Sequence, residues 1–248
     1  MPGRPAARLG TYVSGVETVE QILQAAVRLL VEQGYAALSL RKIADRCGMK
    51  VGNISYYFPT KDLLITALLE TILKGYMEEA DSIYVQDELD AEQKLARILI
   101  FWLEDIQTKW TTNLFPELWA MASHDPFVAE RLDAFYRMGQ DRFGRLIAII
   151  NPELPETERQ VLCAYISGVM EGATLFAGFN KPWAAKMPWI AALSVRSILD
   201  LARTAKAEDI RSLATVWRYA DDGGGELKPV ASKETVGRRG SIIKRPGA

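Results

Sequence analysis

The chain has two cysteines, one histidine and no excess charge of either sign, and each shortage removes a class of function. Cys47 and Cys163 stand far apart in unrelated contexts, so neither a disulfide framework nor a cysteine zinc site is expected. His124, within Ala122-Ser123-His124-Asp125-Pro126, is the sole histidine, and most acid–base and metal designs need more. Glycine-rich phosphate loops, nucleophile elbows and Cys-x-x-Cys pairs are all missing. The expectation is a protein that is not an enzyme and uses no cofactor and no metal. No uninterrupted run of about 18 apolar residues is read, so no membrane partner is expected. Residues 1–10 carry Arg4 and Arg8 without an apolar stretch, unlike a secretory leader, so a cytoplasmic protein is expected.

What is present is an ordinary globular composition with an uneven charge. Apolar residues make up 49% and charged residues 25% of 248, enough to bury a sizeable core. Lys and Arg number 30 against 31 Asp and Glu, which excludes a uniformly basic nucleic-acid binder. Residues 1–62 are net +3, residues 63–204 net −7, and residues 205–248 net +3. That asymmetry fits a nucleic-acid-facing end on an acidic body, and a solvated face fits it about as well.

Apolar residues recur at three- and four-residue steps almost throughout, and no segment alternates with period two. Ser14 and Glu17 have capping-box spacing and predict a helix start, followed by Val19, Ile22, Leu23, Ala26, Leu29 and Leu30 on one face. Gly34 ends it. Ser39 caps a second, short helix carrying Leu40, Ile43 and Ala44; Gly48 breaks it; residues 50–58 form a third. Pro59 stops the chain and Thr60 caps a long fourth helix, expected at least to Ile72 and carried on to about Ile83. Further helices are expected at about 91–109, 115–122, 126–150, 156–179 and 188–205, with breaks at Pro116, Pro126, Pro152, Pro155 and Pro182, and a last amphipathic stretch at 209–220. The predicted fold class is all-α: a flexible arm (1–13), a three-helix amino-terminal domain (14–62), a larger helical domain (63–220) and a disordered tail (221–248).

Three short helices with a glycine in the tight second turn are the anatomy of a helix-turn-helix. Ile43 and Ala44 face inward, Ala44 being small because the next helix crosses close by. Residues 39–64 resemble the DNA-binding signature of TetR-family transcriptional repressors in Ile43-Ala44, Gly48, Gly52, Ile54, Tyr57-Phe58 and Lys61-Asp62-Leu63. The helix ending Gln33-Gly34-Tyr35 is similar to the family's first. By that resemblance residues 50–57 form the recognition helix. Lys50, Val51, Ser55 and Tyr56 stand at base-reading positions, and Ser39, Asn53, Tyr57 and Lys61 at phosphate-holding ones. Arg41 reaches backbone or bases, and Gly52 allows close approach to a neighbour or to DNA. Lys50 replaces a common capping Ser or Thr, Ser55 a common aromatic, and Cys47 a common Ala. The first two departures bear on the sequence read. The aromatic run divides, Phe58 being expected in the core and Tyr56 outside. Arg4 in the arm at 2–5 suits a narrow minor groove or a solvated terminus; Arg238-Arg239 and Lys244-Arg245 suit phosphate attraction or a solvated tail.

The resemblance implies that the second domain binds a small-molecule inducer and forms a homodimer, so that the protein is a repressor on a palindromic double-stranded operator. Phe115-Pro116-Glu117-Leu118-Trp119 is similar to the betaine-synthesis repressor branch. Trp102, Trp110, Phe115, Trp119, Phe135, Met138 and Met170 are candidate cavity residues, as any helical core also supplies. Glu171 is a lone charge in an uncharged helical run, so it contacts a polar or cationic ligand, or it pairs at a dimer surface or in a salt bridge. Gly168, Gly172, Ala173 and Ala177 would permit close helix contact in a four-helix dimer interface with residues 188–205. The alternative function is a helical protein-interaction module without sequence-specific DNA binding.

Overall fold

Two residues set the geometry of the amino-terminal helices. The Ser39 side chain accepts the Lys42 N–H and starts one helix; Gly48, at φ 65° and ψ 28°, ends it in the left-handed region that glycine enters without strain. The computed structural model describes residues 8–214. Its helices are α1 (Arg8–Gln33), α2 (Leu40–Cys47), α3 (Val51–Tyr57), α4 (Lys61–Tyr84), α5 (Ala91–Ile106), α6 (Lys109–Ala122), α7 (Pro126–Ile150), α8 (Glu156–Ala177), α9 (Met187–Thr204) and α10 (Ala207–Ala214). Short 3-10 turns cover Tyr35–Ala37 and Ala184–Lys186, and no strand occurs among the described residues. The arm residues 2–5, residues 215–220 of the last expected helix, and the tail lie outside the described residues.

Ile22, Ala26, Leu29 and Leu30 of α1 bury against Ile43 and Ala44 of α2, Ile54 of α3 and Phe58. Burial of each large aliphatic side chain is worth about 1.5–3 kcal/mol. The same core continues into Leu64, Leu68 and Leu69 of α4, Leu114, Phe115 and Leu118 of α6, and Val128, Leu132 and Phe135 of α7. Packing therefore runs without a break across residues 62 and 63, and residues up to Thr204 form one compact unit. Helix α10 lies in a separate unit beginning at Ala205.

Several helix bounds differ from expectation. Helix α1 already runs at Arg8, so Ser14 and Glu17 fall inside it; no proline after Pro5 interrupts the chain there. Residues 91–109 do not form one helix: α5 stops at Ile106, and the Thr108 side chain accepts the Thr111 N–H to begin α6 six residues earlier than Phe115. Pro116 sits inside α6 rather than breaking it, since a proline removes one backbone donor and a well-packed helix tolerates that loss. Helix α8 ends at Ala177, where Gly178 passes so close to Thr112 that a Cβ there would lie 2.5 Å from its hydroxyl oxygen.

By length and composition α8 is apolar enough to cross a membrane, a property hidden from a search for uninterrupted apolar runs because Glu171 stands within it. In the fold one side of α8 buries Leu162, Cys163, Ile166, Met170, Ala173 and Ala177. Another side leaves Val161, Tyr165, Leu175 and Phe176 exposed, and α9 likewise exposes Trp189 and Leu193. Of the four small residues on α8, Ala173 is buried and Ala177 fully so, whereas a Cβ added to Gly168 or Gly172 would meet nothing within 4 Å.

Candidate nucleic-acid interface and ligand cavity

Helix α3 is short, and its burial is one-sided. Ile54 is fully buried and Tyr56 is 81% exposed. Val51 and Asn53 are exposed as well, and Lys50 is exposed as the residue preceding the helix, with no side-chain cap. Ser55 and Tyr57 are half-buried, and the Tyr56 and Tyr57 rings meet edge to face at 5.1 Å. Phe58 turns into the core. Beside this face, Arg41 of α2 is exposed, and Ser39 uses its side-chain oxygen to cap α2. Lys61 opens α4 with its ammonium 4.1 Å from the centre of the Tyr35 ring, close to the partial positive charge of the helix start. A Cβ on Gly52 would meet no protein atom within 4 Å, so no neighbouring element requires a glycine there.

The module is tied to the body by α6. The Glu117 carboxylate accepts the Tyr35 N–H at 2.8 Å, and Asn113 donates to the Val31 carbonyl at 3.1 Å. Gly34, at φ 77°, lies against the same carboxylate, so any side chain there would face both backbone strain and a clash.

On its other side α6 faces a cavity enclosed by α4, α5, α6, α7 and α8. Of the residues expected to form it, Trp102, Phe115, Phe135, Met170 and Glu171 line one wall or another. Trp102 packs edge-on to Phe135 at 6.4 Å, and Tyr76 stacks on Trp102 at 5.4 Å. The Thr111 hydroxyl donates to Asp105 at 2.5 Å, so the Tyr76 hydroxyl, 2.6 Å from the same oxygen, donates to Thr111. Trp110 and Met138 are exposed and outside the lining. Trp119 lies behind it, where its indole N–H donates to the Tyr136 hydroxyl oxygen at 2.8 Å.

The Tyr136 hydroxyl faces the Glu171 carboxylate, both residues lining the cavity. Burial pushes the Glu171 carboxyl up to about 7, and the nearby Tyr136 hydroxyl only partly offsets it. Burial, with the Glu171 charge nearby, also raises the Tyr136 phenol. Arg142 reaches the cavity too, but its guanidinium is bidentate to Asp81 of α4 at 2.5 and 2.7 Å and donates to the Met138 carbonyl at 3.1 Å. Sequence reasoning missed Tyr136 and Arg142. The lone acid in an apolar helix was a signal that some donor must meet it, but nothing local says which.

Residues 22–68, which span the exposed face of α2 and α3, match the profile of the bacterial regulatory proteins of the tetR family. Residues 22–68 form a tetR-family domain. The chain is 28% identical over 120 residues to an HTH-type transcriptional regulator in the dhlA 5′ region of Xanthobacter autotrophicus, covering 48% of this chain and 59% of that protein. It is 27% identical over 165 residues to the HTH-type transcriptional regulator BetI of Stenotrophomonas maltophilia, covering 65% of this chain and 82% of that protein. In fold it is similar to a transcriptional regulator from Rhodococcus sp., with a TM-score of 0.64 at 18% identity over 76% of this chain and 99% of the other.

Proposed function

We propose that the protein is a tetR-family transcriptional repressor that binds a palindromic operator as a homodimer and is released by a small-molecule inducer. The observation that carries the reading is the one-sided helix α3, which spends Ile54 on the core and presents Lys50, Val51, Asn53 and Tyr56 outward. Side chains that read a major groove need that arrangement, with Arg41 and Lys61 beside them for phosphates. Such a protein acts in the cytoplasm, on chromosomal DNA.

The exposed apolar sides of α8 and α9 support the dimer. Tyr165, Phe176, Trp189 and Leu193 are exposed there, and Gly172 leaves room for a close second helix, whereas Gly168 lines a groove toward α7. A two-fold axis through that face yields two copies of α3, which reach successive major grooves when about 34–36 Å apart. The cavity supports the inducer. Helix α6 contributes Thr111 and Phe115 to it while Glu117 holds Tyr35 at the end of α1. Helix α4 runs from Lys61 beside the DNA face to Asp81 and its ion pair with Arg142 at the cavity. A ligand that binds more tightly when these helices are shifted moves the population toward a spacing unsuited to DNA.

Selection of bound duplexes from a random pool tests this reading. The expected product is an inverted repeat with half-site centres about one helical turn, or a multiple of it, apart. Recovery of no common sequence would contradict operator binding and favour the protein-interaction module.

A further inference from the structure

We infer that the cavity takes an organic cation with an apolar body, its charged head at the wall formed by Glu171 and Tyr136. This rests on the reading of the cavity as a ligand site. The lining is overwhelmingly apolar, with Met77, Trp102, Phe115, Phe135, Phe143 and Met170 among its residues. Only two charged side chains reach it, and they are not equivalent. Arg142 is neutralised by its bidentate pair with Asp81. Glu171 is met by the uncharged Tyr136 hydroxyl, and no ion pair to it exists among the described residues. An anion entering here meets a carboxylate and finds the guanidinium already occupied. A cation meets an unneutralised acid and the faces of aromatic rings, both of which attract it.

The place of Glu171 removes the usual objection to burying charge. With Tyr136 and Ser167 it also lines an outer groove, alongside Trp119, Asp133, Arg137, Gln140 and Gly168. The pair is therefore a wall with the cavity on one side and solvent on the other. A cationic head there keeps contact with water while its body leaves it, so desolvation of the ion pair is incomplete. The ionisable groups around the carboxylate are Tyr136 and Arg142 of α7, Asp81 of α4 through Arg142, and Asp133 and Arg137 of α7 in the groove. The other cavity residues from α5 and α6 are uncharged.

Isothermal titration calorimetry of the full chain with three probes of similar body tests the inference: benzyltrimethylammonium, neopentylbenzene and phenylacetate. The first is permanently charged, so only the protein titrates. Wild type is expected to bind the cation about tenfold or more tightly than either other probe, and to gain about tenfold in affinity from about pH 5.5 to about pH 8.5. Glu171→Gln, of nearly the same shape, is expected to lose that preference and the pH dependence together. Equal binding of the cation and neopentylbenzene by wild type would overturn the cation and leave a ligand cavity standing. Phenylacetate binding best, and weakened by Arg142→Gln, would overturn it in favour of an anion. Binding of none of the three would overturn both the cation and the cavity reading.

Discussion

Replacing Glu171 by Gln is expected to stabilise the ligand-free protein at high pH and to leave it nearly unchanged at low pH. In the unfolded chain this carboxyl loses its proton near 4.5, whereas burial in the cavity wall holds the proton until about 7. Between those values the folded state binds more protons than the unfolded state, so stability falls as pH rises across the window. Below about 4.5 both states are protonated and there is no cost; above about 7 the whole cost is present. At about 1.4 kcal/mol for each tenfold change in proton affinity, the full difference amounts to about 3 kcal/mol. Gln removes the charge and keeps a carbonyl oxygen for the Tyr136 hydroxyl. Urea unfolding of both proteins at one fixed concentration measures it. The variant is expected to exceed wild type by about 3 kcal/mol at about pH 8.5 and by less than about 1 kcal/mol at about pH 5. Equal stabilities at the higher pH, or a less stable variant there, would show that the carboxylate is ionised at no cost. A buried acid without a balancing positive charge at the cavity wall would then be refuted.

Other consequences follow from separate parts of the fold. Tyr56→Ala is expected to weaken binding to the selected duplex about tenfold and to relax its discrimination, while Lys61→Ala weakens selected and scrambled duplexes about equally and flattens the salt dependence; equilibrium titrations of both variants distinguish these roles. Leu193→Asp, on the exposed side of α9, is expected to convert dimer to monomer in sedimentation at micromolar concentration, and an unchanged dimer would place the interface elsewhere. Gly178→Ala is expected to cost about 2 kcal/mol in thermal or denaturant unfolding. Its Cβ would crowd the Thr112 hydroxyl and the Thr174 carbonyl, and Thr112 also holds the Phe179 N–H at 2.7 Å and the Ile106 carbonyl at 2.6 Å.

The amino-terminal module was legible because its decisive features are local. Ser39, Gly48 and Thr60 each act within four residues of where they stand, and the inward Ile43, Ala44 and Ile54 follow from helical period. Pro126 at the start of α7 was readable for the same reason. The start of α6 was not, because a proline in mid-helix carries a stronger apparent stop signal than Thr108 carries a start signal. The cavity was half legible. Glu171 stood out from an apolar helix, but its partner Tyr136 lies on α7 and looks like any amphipathic residue there. The Asp81–Arg142 pair joins residues 61 positions apart, and no spacing rule reaches that far. Trp110 and Met138 show the converse: large apolar residues are common candidates for a cavity, and only packing decides which face it.

The central claim is that α2 and α3 form a sequence-reading DNA surface. Fluorescence anisotropy of the purified protein on duplex DNA from upstream of its own gene, against a scrambled duplex of equal length and across a salt series, tests it most directly. The expected result is tight binding to the first duplex, weak binding to the second, and loss of affinity with salt on both. Equal, weak binding to both duplexes at every salt concentration would contradict it.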